Sequence, residues 1–184
     1  KGLGGNWVIG IMPQHFDFYT RLWLISWRTP GAPHPLTFTD DGGNSWNIVT
    51  QLFDMDIIVY NLSFSEKNIL ASTDHGLYMS DINDGIFWNR LPITSDATGE
   101  NLLTEIVYSA VAISDNQDIY FIGTEDGLSI LSSGVTFDNI RFWESANPFS
   151  AYPNPFLIND YNQIGSDGYV RFLYSNPNNY SSSI

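Results

Sequence analysis

Two stretches of this chain repeat themselves, and the repeat restricts the fold more than any other feature. His34-Pro35-Leu36-Thr37-Phe38-Thr39-Asp40 aligns with His75-Gly76-Leu77-Tyr78-Met79-Ser80-Asp81 at a spacing of 41. The two agree at the His, Leu, hydroxyl and Asp positions. Val59-Tyr60, Ser65 and Thr73-Asp74-His75-Gly76-Leu77 recur in order as Val107-Tyr108, Ser114 and Thr124-Glu125-Asp126-Gly127-Leu128, at spacings of 48 to 51. Self-similarity at such a period means a stacked or radial array of one supersecondary unit.

The unit is made of strands. Trp7–Ile11, Leu22–Trp27, Ile57–Tyr60, Asn68–Ala71 and Ile119–Ile122 are apolar runs too short for helices, and most are rich in β-branched or aromatic residues. Between them stand Asp41-Gly42, His75-Gly76, Asp84-Gly85, Asp126-Gly127 and Asp167-Gly168, the residue pairs that tight hairpins use. Only Asn101–Val107 hints at a helical turn. The chain therefore reads as all-β. A period of about 40–50 residues with several short strands has the size of one β-propeller blade, which predicts about three blades over residues 1–146.

Charge narrows the partners. Seven Lys and Arg stand against 20 Asp and Glu, a net of −13. Nucleic-acid affinity rests on Lys and Arg displacing counterions, so no nucleic-acid partner is expected. An anionic membrane surface is disfavoured for the same reason, and no apolar run approaches the length of a bilayer span. The absence of cysteine removes disulfides, thiolate catalysis and zinc–sulfur sites. With 43% hydrophobic and 15% aromatic residues the chain carries enough for a real core.

Thr39-Asp40-Asp41-Gly42-Gly43-Asn44-Ser45-Trp46 has the spacing Ser/Thr-x-Asp-x-Gly-x-Ser/Thr-Trp. Its chemistry is that of a braced hairpin. The Asp41 carboxylate can accept backbone N–H groups across the turn, and Gly43 permits a positive φ. Thr39 and Ser45 supply hydroxyls, and Trp46 is expected to fold back beneath the hairpin. Aligned on the Trp, a second copy runs Asp81 to Trp88, with Asn83 in place of the Asp, Gly85 and Trp88. A third, more decayed copy runs Ser132 to Phe137, with Gly134 and with Phe137 at the Trp position.

This pattern resembles the sialidase-type Asp-box (BNR) propellers, of the sialidase-like and sortilin-like kind, over roughly residues 1–146. The resemblance implies that the boxes are structural hairpins on the outer part of each blade. It also implies that further blades lie upstream, since propellers close with about 4–8. Tyr152-Pro153-Asn154-Pro155-Phe156, followed by Gly168-Tyr169-Val170-Arg171-Phe172, is similar to the opening of immunoglobulin-like C-terminal domains of bacterial surface proteins, type IX secretion sorting domains among them. Residues 147–184 are accordingly expected to be a Pro/Asn-rich linker and the start of a β-sandwich, with a secreted or outer-surface location.

Catalytic signals do not assemble. Sialidases clamp a substrate carboxylate with three arginines, and none of Arg21, Arg28, Arg90, Arg141 and Arg171 lies in the Arg-Ile-Pro motif that marks that family; Arg28-Thr29-Pro30 is the nearest string. Glycosidases of other Asp-box families use paired carboxylates. Asp54, Asp56, Glu100, Glu105, Glu125 and Glu144 are candidates, with no spacing that prefers any pair. His34 and His75 fall at equivalent repeat positions, which argues for a repeated turn role and against one metal site. No catalytic, cofactor or metal residue is assigned. The exposed aromatics Tyr19, Trp23 and Trp27 are the candidate binding residues, since aromatic platforms stack on sugars and anchor proteins. The expected function is a non-catalytic binding or scaffold segment of a larger secreted or cell-surface bacterial protein, with a glycan or protein ligand. The alternative is a piece of a propeller glycoside hydrolase whose catalytic residues lie mostly elsewhere.

Overall fold

The computed structural model describes residues 3–91, 102, 104–114, 118–132 and 136–140. Gly134, Arg141, Arg171 and the whole of the expected second module at 147–184 lie outside them. The described chain is all-β, three four-stranded antiparallel sheets, none of them closed. Sheet I contains β1 (Val8–His15), β2 (Thr20–Ser26), β3 (Leu36–Thr39) and β4 (Asn47–Ile48). Sheet II contains β5 (Val59–Phe64), β6 (Asn68–Thr73), β7 (Gly76–Asp81) and β8 (Asn89–Arg90). Sheet III contains β9 (Val107–Ser114), β10 (Asp118–Thr124), β11 (Gly127–Ser132) and β12 (Thr136–Ile140). Strand order follows chain order in each sheet, so each is a simple meander joined by hairpins.

The repeat seen in the sequence coincides with the sheets. Thr73 and Thr124 close the central hairpins of sheets II and III in the same way. The Thr73 hydroxyl donates to the Gly76 carbonyl (2.7 Å) and accepts from the His75 N–H. The Thr124 hydroxyl donates to the Gly127 carbonyl (2.9 Å) and accepts from the Asp126 N–H. Both threonines are fully buried, so each hydroxyl satisfies groups that water cannot reach. In sheet I this hairpin is replaced by the longer loop of residues 27–35.

The sheets pack face to face. One cluster joins sheets I and II through Trp23, Ile25, Leu36 and Phe38 on one side and Leu62, Ile69, Ala71, Tyr78 and Trp88 on the other. A second joins sheets II and III through Leu70 and Leu77 against Val107, Ala110, Tyr120 and Ile122. Consecutive residues of β6 thus serve opposite interfaces, as the two-residue period of a strand requires, and Ile69, Leu70 and Ala71 are all at 0% exposure.

One short helix, α1 (Thr50–Asp54), links sheets I and II. It ends in a Schellman arrangement: the Asp56 N–H donates to the Phe53 carbonyl and the Ile57 N–H to the Leu52 carbonyl, both at 3.0 Å. Asp56 takes the left-handed conformation this cap needs, with φ 58°. The helical turn expected at Asn101–Val107 does not form in its described part. Val107 begins β9, and Glu105 and Ile106 are not helical.

Candidate functional site

The two described boxes are braced turns. In the first, the Asp41 carboxylate accepts the Thr39 hydroxyl (2.7 Å), the Ser45 N–H (2.9 Å) and the Ser45 hydroxyl (2.6 Å). The Thr39 oxygen in turn accepts the Gly43 N–H at 2.9 Å. These bonds, the Ser45 hydroxyl first, hold the Asp41 carboxyl well below the usual carboxylate range. All of these partners lie within the turn, which the carboxylate braces. Trp46 is only half-buried, lying over Gly43.

The second box reaches the same geometry with a shifted register. Ser80 replaces Thr39, accepting the Gly85 N–H at 3.1 Å. The bracing carboxylate is Asp84, which accepts the Phe87 N–H at 3.1 Å. Asn83, the expected counterpart of Asp41, instead donates to the Asp81 carboxylate. The turn holds one more residue between hydroxyl and Trp, and its acid stands four places before the Trp where Asp41 stands five. Trp88 is buried at 2% exposure, and its Nε1–H donates to the Gly85 carbonyl at 3.0 Å. Phe137, the expected Trp counterpart in the third copy, is the second residue of β12.

This second hairpin is also the clasp between sheets I and II. Arg21 forks onto both oxygens of Asp40 (2.7 and 3.0 Å) and donates to the Asp84 carbonyl at 2.8 Å. Its guanidinium lies 4.3 Å from the Phe38 ring centroid. Gln14 donates to the Ile82 carbonyl and accepts the Trp23 Nε1–H at 2.8 Å. A Cβ on Gly85 would sit 2.6 Å from the Trp23 ring, and Gly85 has φ 73°, so glycine is required twice over. Trp23, a candidate binding aromatic in the sequence, is at 0% exposure and belongs to the core. Its indole meets Trp88 edge-on at 6.3 Å.

The other end of the sheets carries a different arrangement. Each first strand has a bulge at the same register position. Val8 pairs Ser26 and Gly10 pairs Ile25, leaving Ile9 extra. Val59 pairs Thr73 and Asn61 pairs Ser72, leaving Tyr60 extra. Val107 pairs Thr124 and Ser109 pairs Gly123, leaving Tyr108 extra. A bulge re-aims the side chain it carries, and the outcome here is a row of rings. Trp27, just beyond β2 and 42% exposed, lies 6.3 Å from Tyr60, and Tyr60 lies 5.4 Å from Tyr108. Trp7 adjoins the row, its carbonyl accepting the Trp27 N–H at 2.7 Å. The hairpin acids Asp74 and Glu125 stand beside it: burial first, then Asp74, Tyr108 and Glu125, push the Tyr60 phenol up.

Tyr19 is not part of this row. It sits in the β1–β2 turn at the box end, 41% exposed and stacked on Phe16 at 4.6 Å. Of the three sequence candidates, the structure places one in the row, one in the core and one at the opposite end of β2. Tyr60 and Tyr108 were missed, although the repeated Val-Tyr pair marked both positions.

Next to Trp27 the loop of residues 28–34, with Phe53 and Asp56, encloses an open cleft of about 640 Å³. Arg28, of the Arg-Thr-Pro string, pairs with Asp56 at 2.9 Å. His34 is buried, and its Nε2 lies 3.5 Å from Asp56 with no hydrogen-bond partner. Three of the six candidate acids are separately engaged: Asp56 with Arg28, Glu105 with Arg90 at 2.7 Å, and Glu125 with the Thr104 hydroxyl at 3.1 Å, while Glu100 and Glu144 lie outside the described residues. Among the described residues no three His, Cys, Asp or Glu side chains gather into a metal-binding group. No helix among them is long and apolar enough to cross a membrane. No protein-family model matches the chain, and neither a curated protein nor a solved structure is found to be similar to it.

Proposed function

We propose that this chain is a run of three Asp-box propeller blades and serves as a non-catalytic binding or scaffold segment of a larger secreted or cell-surface bacterial protein. The observation that carries the architectural part is the identical use of faces. Cross-strand rows Leu62–Ala71–Tyr78 and Ala110–Ile122–Ser129 are buried against the preceding sheet, Leu62 at 5% and Ala110 at 1% exposure. The equivalent row of sheet I is Ile11–Leu24–Thr37–Ile48, in which Leu24 and Thr37 are buried but Ile11 is 63% and Ile48 43% exposed. The exposed Ile11 and Ile48 at its ends are apolar surface that one more sheet of the same kind would cover. A meander that presents one face backward and one forward stacks in series, which is how blades assemble.

The binding part rests on the bulged edge, where the sheets turn aromatic rings toward one another. The non-catalytic part rests on the described arginines, each of which pairs with a different carboxylate, so that they do not converge. Export is supported by the Tyr152–Phe156 string alone. A turnover assay on a panel of fluorogenic glycosides tests the reading: no release above blank is expected, and reproducible release that disappears on changing Glu105 or Glu125 to Gln would overturn it.

A further inference from the structure

Everything at the bulge end of the sheets points one way. The three first strands begin there, and Tyr60 and Tyr108, the bulge residues of sheets II and III, lie side by side. The Trp27, Tyr60 and Tyr108 rings succeed one another at 6.3 and 5.4 Å, tilted by 44° and 51°. None is fully buried, so the row keeps ring surface open to a ligand. Around it stand hydrogen-bonding groups already held in place. The Asp74 carboxylate accepts the Ile58 N–H at 2.9 Å, and Glu125 accepts the Thr104 hydroxyl at 3.1 Å. Such carboxylates keep lone pairs free to accept further hydroxyl protons.

Charge selects among ligands that stack on rings. The chain carries a net −13, and each described arginine is committed to a carboxylate: Arg21 to Asp40, Arg28 to Asp56, Arg90 to Glu105. Among the described residues no guanidinium is left to receive a sugar carboxylate or sulfate, whose recognition asks for a bidentate Arg. A standard protein interface covers about 800 Å² on each partner, far wider than a row of three rings bordered by acids. A ligand with apolar ring faces and many neutral hydroxyls suits both the rings and the acids beside them.

We propose that the Trp27–Tyr60–Tyr108 row is a platform for an uncharged oligosaccharide, whose sugar faces stack on the rings while hydroxyls donate to Asp74 and Glu125. The proposal deepens the reading of the chain as a non-catalytic binding segment and rests on it.

Calorimetric and tryptophan-fluorescence titration of the full chain with neutral oligosaccharides of glucose, xylose, mannose and N-acetylglucosamine tests it. A sialylated trisaccharide and a heparin fragment form an anionic arm, and oligolysine a cationic arm. At least one neutral sugar should bind, and neither charged ligand should compete with it. Trp27→Ala and Tyr60→Ala should each weaken that binding about tenfold or more. Phe87→Ala, at an exposed ring on the second box, should leave it unchanged. If Tyr60→Ala fails to fold, Tyr60→Leu keeps the bulk, loses the ring, and should show the same loss with an unchanged circular dichroism spectrum. The proposal is overturned if no neutral sugar binds, if binding is confined to an anionic or cationic arm, or if folded ring variants bind as tightly as the parent. Failure of that kind leaves the blade reading standing, since the sedimentation test of the exposed face described below decides it independently.

Discussion

Trp46 and Trp88 hold the same place in their boxes yet differ in burial. Trp46 covers its own turn and stays half in water, whereas Trp88 is buried between sheets I and II, clamped by Gln51 of α1 at 2.7 and 2.9 Å. The cost of deleting an indole follows the surface it removes from water and the cavity it leaves. Trp88→Ala should therefore destabilise the chain by about 3–5 kcal/mol, and Trp46→Ala by only about 1 kcal/mol, as read by urea melts. Equal losses would contradict the assignment of Trp88 to the inter-sheet core. Asp41 offers a second test. Its folded carboxyl is depressed below the ordinary value of 3.8, mainly by the Ser45 hydroxyl. A depressed acid stabilises the fold at pH above its unfolded value and loses that contribution as pH falls toward its folded one. Ser45→Ala should raise the Asp41 carboxyl in a carbon-detected NMR titration, and make the box hairpin open at higher pH than in the parent. An unmoved titration would show that the hydroxyl does not hold the acid.

Among the elements, the sequence disclosed what periodicity and turn chemistry encode. Gly42, Gly76, Gly85 and Gly127, each in an expected turn, all have positive φ. The expected strands at Leu22–Trp27 and Asn68–Ala71 became β2 and β6 with boundaries moved by one or two residues. What stayed hidden was whatever a single extra residue decides. A bulge leaves no composition signal, so Tyr60 and Tyr108 read as ordinary strand residues. In the second box the bracing acid is Asp84, one place nearer the Trp than the alignment on Trp88 put it. Strand β2 is buried along Trp23–Ser26 on both faces, which erases the alternation that would have told core from surface and made Trp23 look like a ligand platform. Helix α1 was invisible because it is five residues long, has no side-chain cap at its start, and ends on an Asp where glycine usually stands.

Across the whole molecule, the sheets form a stack in which the middle one is covered on both sides. Two ends serve two purposes. The boxes, with Arg21, Gln14 and Gly85, lock sheet to sheet, while the bulges gather rings and acids at the opposite end. The stack leaves Ile11 and Ile48 exposed on the backward face of sheet I, while Leu24 and Thr37 between them are buried and Gly4 approaches Pro35, Thr37 and Ile48. Apolar surface arranged as a ready interface drives association when it finds a copy of its complement. Sedimentation velocity on the purified chain and on Ile11→Lys, over a range of concentrations, tests this most directly. The parent should self-associate as concentration rises, and Ile11→Lys should shift it to monomer with its circular dichroism unchanged. A parent that stays a single monomer at every concentration, with a sharp cooperative melt, would contradict the claim that these sheets are blades built to receive another.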